Sequence, residues 1–93
     1  MTVQHITGKN KGRIMLYTLS TCVWCKKTKQ LLNDLGVEYD YADIDTLQGD
    51  EKTEILKAMK KWNPSGNFPT MVINDKNCII GFREDAIREA LQL

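Results

Sequence analysis

The sequence predicts a single α/β domain in which a four-stranded mixed sheet is flanked by helices, in the order β-α-β-α-β-β-α. Three observations lead there. Short runs rich in strand formers alternate with longer segments of helical apolar period. Two of the short runs face each other across Asn74-Asp75-Lys76-Asn77, a hairpin signal. And 93 residues are enough for one hydrophobic core but not for two.

In chain order, residues 1–12 mix Thr, Gln, His, Gly, Asn and Lys without a sustained period. They read as a flexible or edge-hugging extension ahead of a folded domain spanning 13–93. Ile14-Met15-Leu16-Tyr17-Thr18 is nearly continuous in strand formers, as suits a central strand buried on both faces. After Leu19 to Thr21, the residues Thr28, Leu31, Leu32 and Leu35 recur at helical spacing. Lys26, Lys27, Lys29, Gln30, Asn33 and Asp34 cover the other side, and Gly36 supplies the stop. Val37 to Ile44 alternates as a second strand, which the intervening helix makes parallel to the first through a right-handed crossover. From Gly49 to Trp62 the stripe Ile55, Leu56, Met59 and Trp62 predicts a second helix. Asp50 and Glu51 at its start and Lys57, Lys60 and Lys61 near its end have the polarity the helix dipole favours. Asn63 to Asn67 breaks this regularity, Thr70 to Ile73 and Cys78 to Gly81 form the hairpin, and Ile87, Ala90 and Leu91 give a last helix.

Thirteen basic and 12 acidic side chains leave a formal charge of +1. That balance offers no basis for a nucleic-acid or membrane partner. No apolar run approaches the roughly 20 residues of a membrane helix. No apolar leader follows Met1, so a cytoplasmic location is expected. Three cysteines are too few for a secreted disulfide scaffold. Two of them, Cys22 and Cys25, stand three residues apart, a pattern that points to redox work or metal binding.

Cys22 falls just before the first helix and Cys25 in its first turn. Backbone N–H groups and the positive helix end can therefore stabilise a thiolate on Cys22. Lys26 and Lys27 add charge that solvent screens, so the helix end is the larger effect. The spacing also lets the second thiol reach the first. Cys22 then attacks a substrate disulfide and Cys25 resolves the mixed disulfide, a complete two-electron cycle with no metal. The alternative is a binding module in which the same cysteines hold zinc or an iron–sulfur cluster; Cys78 and His5 are the other strong ligand candidates. Cys78 reads more simply as a small buried apolar residue, and His5 as a solvated surface residue. Trp24, between the cysteines, is expected at the site surface, and Trp62 in the core.

The strand-loop-Cys-x-x-Cys-helix unit, followed by Phe68-Pro69-Thr70 before a hairpin and by Gly81 before a final helix, resembles the glutaredoxin family of the thioredoxin superfamily. The resemblance covers about residues 13–93. It implies a thioredoxin-like fold and thiol–disulfide oxidoreductase activity on disulfide-containing proteins, with glutathione as co-substrate. It further implies a cis bond before Pro69, a substrate groove shaped by Phe68, Pro69 and Thr70 and bordered by Trp24, Gly81, Phe82 and Arg83, and a charged contact from Arg83. Val23-Trp24 stands where many glutaredoxins have Pro-Tyr, and Leu19 where they have lysine. Ile80-Gly81-Phe82-Arg83 is similar to the Gly-Phe-Arg segment of NrdH-type redoxins. By that resemblance the partners are ribonucleotide reductase downstream and a thioredoxin-reductase-type enzyme upstream. Thioredoxin itself fits less well: its site strand carries a buried aspartate, whereas Ile14 to Thr18 has no acid, so no buried carboxylate is expected beside the resolving thiol.

Overall fold

A computed structural model describes residues 3–93. The chain runs β1 (Gln4–Ile6), β2 (Ile14–Thr18), α1 (Val23–Leu35), β3 (Tyr39–Asp43), a 3₁₀ turn (Ile44–Thr46), α2 (Gly49–Trp62), β4 (Thr70–Ile73), β5 (Asn77–Ile80) and α3 (Glu84–Ala90). One mixed sheet has the order β1-β3-β2-β4-β5, with β2 at its centre. It is parallel to β3 through Leu16↔Tyr41 and Thr18↔Asp43, and antiparallel to β4 through Leu16↔Met71 and Tyr17↔Thr70.

The sheet has five strands, not the four expected. The added one comes from the segment read as a flexible or edge-hugging extension: Gln4, His5 and Ile6 pair antiparallel with Tyr41, Asp40 and Tyr39. Apolar period could not reveal it, because its first two residues are exposed and its third only half-buried. Backbone pairing, rather than burial, holds it. Farther along, the Lys9 N–H donates to Gly36 O and the Glu38 N–H to Lys9 O, both at 2.8 Å. Gly8 permits this close approach, since a Cβ there would lie 2.7 Å from Gly36 O.

Side-chain alternation sorts the strands onto two cores. On one face Ile14 and Leu16 of β2, Tyr39 of β3, Met71 and Ile73 of β4 and Ile79 of β5 pack with Leu31 and Leu32 of α1 and Ile87 of α3. On the other, Tyr17 and Val72 pack with Met59 of α2, and Met15, Ile55, Leu56 and Trp62 fill in around them. Trp62 thus belongs to the core stripe the sequence predicts. Helix α1 starts at an extended Cys22 and ends at Gly36, whose φ of 69° closes it with a bond from its N–H to Asn33 O. Among the described residues no helix is long and apolar enough to cross a membrane.

The β1 edge carries a titratable clasp. His5 Nδ1 lies 2.5 Å from Asp40 Oδ1, and Nε2 lies 3.8 Å from Glu38 Oε2. The hydrogen bond to Asp40 raises the His5 pKa above its ordinary 6.5, with both carboxylates adding to it and desolvation opposing. A group whose pKa is raised on folding contributes fully below its unfolded pKa and loses that contribution as pH rises through the folded value. The thermal midpoint of the wild type should therefore exceed that of His5→Gln at pH 5.5–6, about one unit or less below that ordinary value, and the gap should close as pH passes the raised folded value. A gap independent of pH in paired melting curves would show that the ring contributes by packing alone.

Candidate active site

The site forms where β2 ends. The Cys22 N–H donates to Leu19 O at 3.2 Å, and the Cys25 N–H donates to Cys22 Sγ at 3.1 Å. Cys22 is thus the N-cap of α1, a half-exposed residue at the positive helix end. Cys25, one turn on, is fully buried. Burial pushes its thiol up to about 12, helped by the hydrogen bond and charge of Cys22, while the Leu19 backbone and the Lys29 charge pull it down. The two sulfurs therefore differ by environment: one on a half-exposed residue and receiving a backbone N–H, the other covered.

The turn that carries Cys22 is tied to the neighbouring strand by carboxylates. Thr18 Oγ1 donates to Asp43 Oδ1 at 2.5 Å, and the Ser20 N–H donates to Asp45 Oδ1 at 2.8 Å, with the Ser20 hydroxyl on Asp45 Oδ2. Asp45 is held below the usual carboxylate range chiefly by the Ser20 hydroxyl and N–H. Lys29 Nζ lies 2.9 Å from Asp43 Oδ1 and 4.1 Å above the Tyr41 ring.

The second half of the site comes from the β4–β5 side. The Phe68–Pro69 peptide is cis. The pairing Tyr17↔Thr70 brings Pro69 to the end of β2. Pro69 O accepts the Gly81 N–H at 2.9 Å, which ties this corner to the turn before α3. Buried Asn63 holds the approach: its Nδ2 donates to Asn67 O at 3.1 Å and to Thr70 Oγ1 at 3.0 Å, and the Thr70 hydroxyl donates to Asn67 O at 2.7 Å.

Trp24, 55% exposed, stacks on Phe82 with ring centroids 6.0 Å apart, and Lys27 Nζ lies 5.1 Å from the indole centre. Trp24, Phe68, Gly81 and Phe82 together line a cavity of about 260 Å³. Six of the anticipated positions, Cys22, Trp24, Cys25, Phe68, Gly81 and Phe82, are thereby brought to one end of the sheet, with Pro69 behind them. Thr70 is fully buried and supports the groove from beneath, and Arg83 is exposed at the N-cap of α3, outside the cavity lining.

Two residues stand differently from their sequence reading. Lys29 leaves the solvated side of α1, its side chain only 20% exposed, because a part-buried carboxylate, Asp43, holds its ammonium. Asp43 arrives on β3: in the row Tyr39, Tyr41, Asp43 it points to the same face as the α1 core, a phase the alternating strand already contained. Asn63, read only as part of a breaker, was legible as a turn residue but not as a buried anchor.

Among the described residues no three His, Cys, Asp or Glu side chains are grouped to hold a metal ion. Cys78 on β5 and His5 on β1 occupy opposite edges of the sheet. Cys78 is half-buried, and burial raises its thiol pKa.

A mixed sheet whose central strand feeds a Cys-x-x-Cys helix, with a cis-proline corner at that strand's end, defines a dithiol protein of thioredoxin-like fold. The glutaredoxin family model matches residues 14–78, and the chain belongs to the glutaredoxin family. Among solved structures it is similar to methanoredoxin from Methanosarcina acetivorans, 51% identical over 92% of this chain and 90% of that one, with a TM-score of 0.89. Glutaredoxin from Methanosarcina mazei Go1 is 48% identical over 100% and 90%, with a TM-score of 0.91. NrdH-redoxin from Escherichia coli, a glutaredoxin-like protein with a thioredoxin-like activity profile, is 25% identical over 83% and 92%, with a TM-score of 0.67.

Replacing Asn63 with Ala leaves Asn67 O and Thr70 Oγ1 short of a buried donor. The expected loss is about 2 kcal/mol of unfolding free energy, to be read from urea denaturation. A loss below about 0.5 kcal/mol, the level of an ordinary surface change, would show that the corner holds without Asn63.

Proposed function

We propose that the chain is a dithiol–disulfide oxidoreductase that carries electrons to protein disulfides, with Cys22 as attacking and Cys25 as resolving thiol. The carrying observation is the half-exposed Cys22 at the helix start, its sulfur accepting the Cys25 N–H while Cys25 lies buried behind it.

In the first step the Cys22 thiolate displaces one sulfur of the substrate disulfide, forming a Cys22 mixed disulfide and releasing a thiolate. In the second, Cys25 gives up its proton and attacks the Cys22 sulfur. The Cys22–Cys25 disulfide forms and the second substrate sulfur leaves as a thiolate that takes up a proton. Two electrons have passed to the substrate. The cycle closes when two thiols of glutathione, or the dithiol of a thioredoxin-reductase-type enzyme, reduce the internal disulfide.

Protein substrates fit the rim. Trp24, Phe68 and Phe82 offer aromatic surface beside the sulfur, and Phe68 precedes β4 without joining its ladder, which leaves its backbone available to an extended segment. Arg83 is available to a carboxylate at the edge. Ribonucleotide reductase is the partner the NrdH-type resemblance suggests.

Cys22→Ser should abolish disulfide reduction, with residual turnover below about 1% because no thiolate remains to attack. Cys25→Ser should accumulate substrate-bound mixed disulfides visible by mass spectrometry. Equal activity in the two variants would defeat the assignment. Incubating the oxidised protein with glutathione, and separately with a thioredoxin-reductase-type enzyme and NADPH, identifies the reductant: a Cys22 glutathione adduct with fast turnover marks the first, turnover only with the enzyme the second.

A further inference from the structure

We infer that Lys29, anchored by Asp43, is a positioning residue for the resolving step, holding a positive charge behind Cys25 where that buried thiol must ionise to release the substrate. The inference rests on the dithiol reading above and deepens it.

Lys29 follows Cys25 by four residues in α1, so the two share one helix face, and that face is the one turned to the sheet. A lysine there would ordinarily extend its ammonium to water. This one is fixed instead: its side chain is 20% exposed, its Nζ is 2.9 Å from Asp43 Oδ1, and the Tyr41 ring lies 4.1 Å below. Asp43 is itself fixed by the Thr18 hydroxyl from the end of β2. Holding a lysine this way costs side-chain entropy and desolvation, and a partly covered ion pair recovers little of that in stability. Its position one turn behind a buried reactive thiol gives the arrangement another use.

The charged and titratable groups around Cys25 are few. Cys22 and Lys29 face it from α1; Asp43 and the Tyr41 ring stand on β3 behind Lys29, Thr18 contributes only a hydroxyl from β2, and Asp45 is engaged with Ser20. In the free dithiol both Cys22 and burial hold the Cys25 proton on. Once Cys22 is in a mixed disulfide its charge and its thiolate hydrogen bond are gone. Burial remains, opposed by the Leu19 backbone and the Lys29 ammonium. The Lys29 ammonium, although paired with Asp43, then adds to the Leu19 backbone in favouring the Cys25 thiolate when that thiolate must attack the Cys22 sulfur. The bond formed is Cys22–Cys25, the bond broken is Cys22 to the substrate sulfur, and the Cys25 proton ends on the departing thiol by way of solvent.

Reaction with the aromatic disulfide 5,5′-dithiobis(2-nitrobenzoate) separates the steps, since each releases one coloured thiolate. Loading of Cys22 is measured in a Cys25→Ser background, and resolution as the second release from the full dithiol protein, across pH 5.5–9. In Lys29→Met, loading should keep its rate while the second release slows and its pH profile moves upward. The slowing at neutral pH should be about three- to fourfold per unit of displacement, because a lower thiolate fraction is partly offset by higher nucleophilicity. Lys29→Arg should restore both rate and profile. Lys29→Gln, which keeps a polar stem, repeats the test if the Met variant folds poorly. An unchanged second release, slowing without displacement of the profile, equal slowing of both steps, or failure of Arg to rescue would each overturn the inference. Absence of the first release from the unmodified protein would instead defeat the dithiol reading on which it stands.

Discussion

The parallel pairing of β2 with β3 places Thr18 and Asp43 side by side where two central strands end and the chain turns into α1. The turn that follows has little apolar anchorage, because Ser20 and Thr21 are polar and only Leu19 reaches the core. Its position is set by hydrogen bonds to the end of β3: the Thr18 hydroxyl on Asp43, and the Ser20 N–H and hydroxyl on Asp45. The N-cap at Cys22 inherits that position. If β3 were displaced, the start of α1 would move with it, and with it the bond from the Cys25 N–H to the Cys22 sulfur. The edge strand β1 pairs with the outer side of β3, so even the short segment Gln4–Ile6 supports this arrangement, from two strands away.

From that frame the two thiols receive opposite environments at a separation of one helical turn. The cap position leaves Cys22 half-exposed, with its sulfur accepting the Cys25 N–H. Cys25 faces the sheet and is covered, which favours the protonated form. The proposed cycle fits this order: in it the outer thiol meets the substrate, and the inner one acts on the disulfide that the outer one has made. The corner formed by cis Pro69, tied to Gly81 and supported through Thr70 by Asn63, sets the opposite wall without adding a charge of its own.

Much of this was legible in the residues. The continuous apolar runs of β2 and β4, covered on both faces, and the helical stripe of α2 place these elements at their observed bounds, and Cys22 ahead of a helix follows from the start of the Thr28, Leu31, Leu32, Leu35 pattern. The resemblance carried by Phe68-Pro69-Thr70 and Gly81-Phe82 supplied the far wall of the groove, which no period in the sequence could have indicated. What escaped was held by pairing rather than by burial. β1 offers only the half-buried Ile6 to the core, so its segment reads as a flexible or edge-hugging extension, and Lys29 is charged, so it reads as part of the solvated face of α1. The place of Asp43 depends on parallel register, which sets it beside Thr18 from the adjacent strand and which no local pattern encodes.

The rows that face α1 show why polar groups converge there. Along β2 the inward positions run Ile14, Leu16, Thr18, and along β3 Tyr39, Tyr41, Asp43. The β2 row passes from aliphatic to hydroxyl and the β3 row from aromatic to carboxylate toward the C-terminal strand ends, the end at which Cys25 and Lys29 stand on α1. A purely apolar continuation would bury more surface and pack α1 more firmly, at roughly 25 cal/mol for each Å² covered. The chain instead places a hydroxyl, a carboxylate and an ammonium there, with the Asp43 carboxylate bound to both the Thr18 hydroxyl and the Lys29 ammonium. Such a layer stabilises the fold less than hydrocarbon would, and it keeps a fixed positive charge one helical turn from the covered thiol, as the inferred role of Lys29 requires.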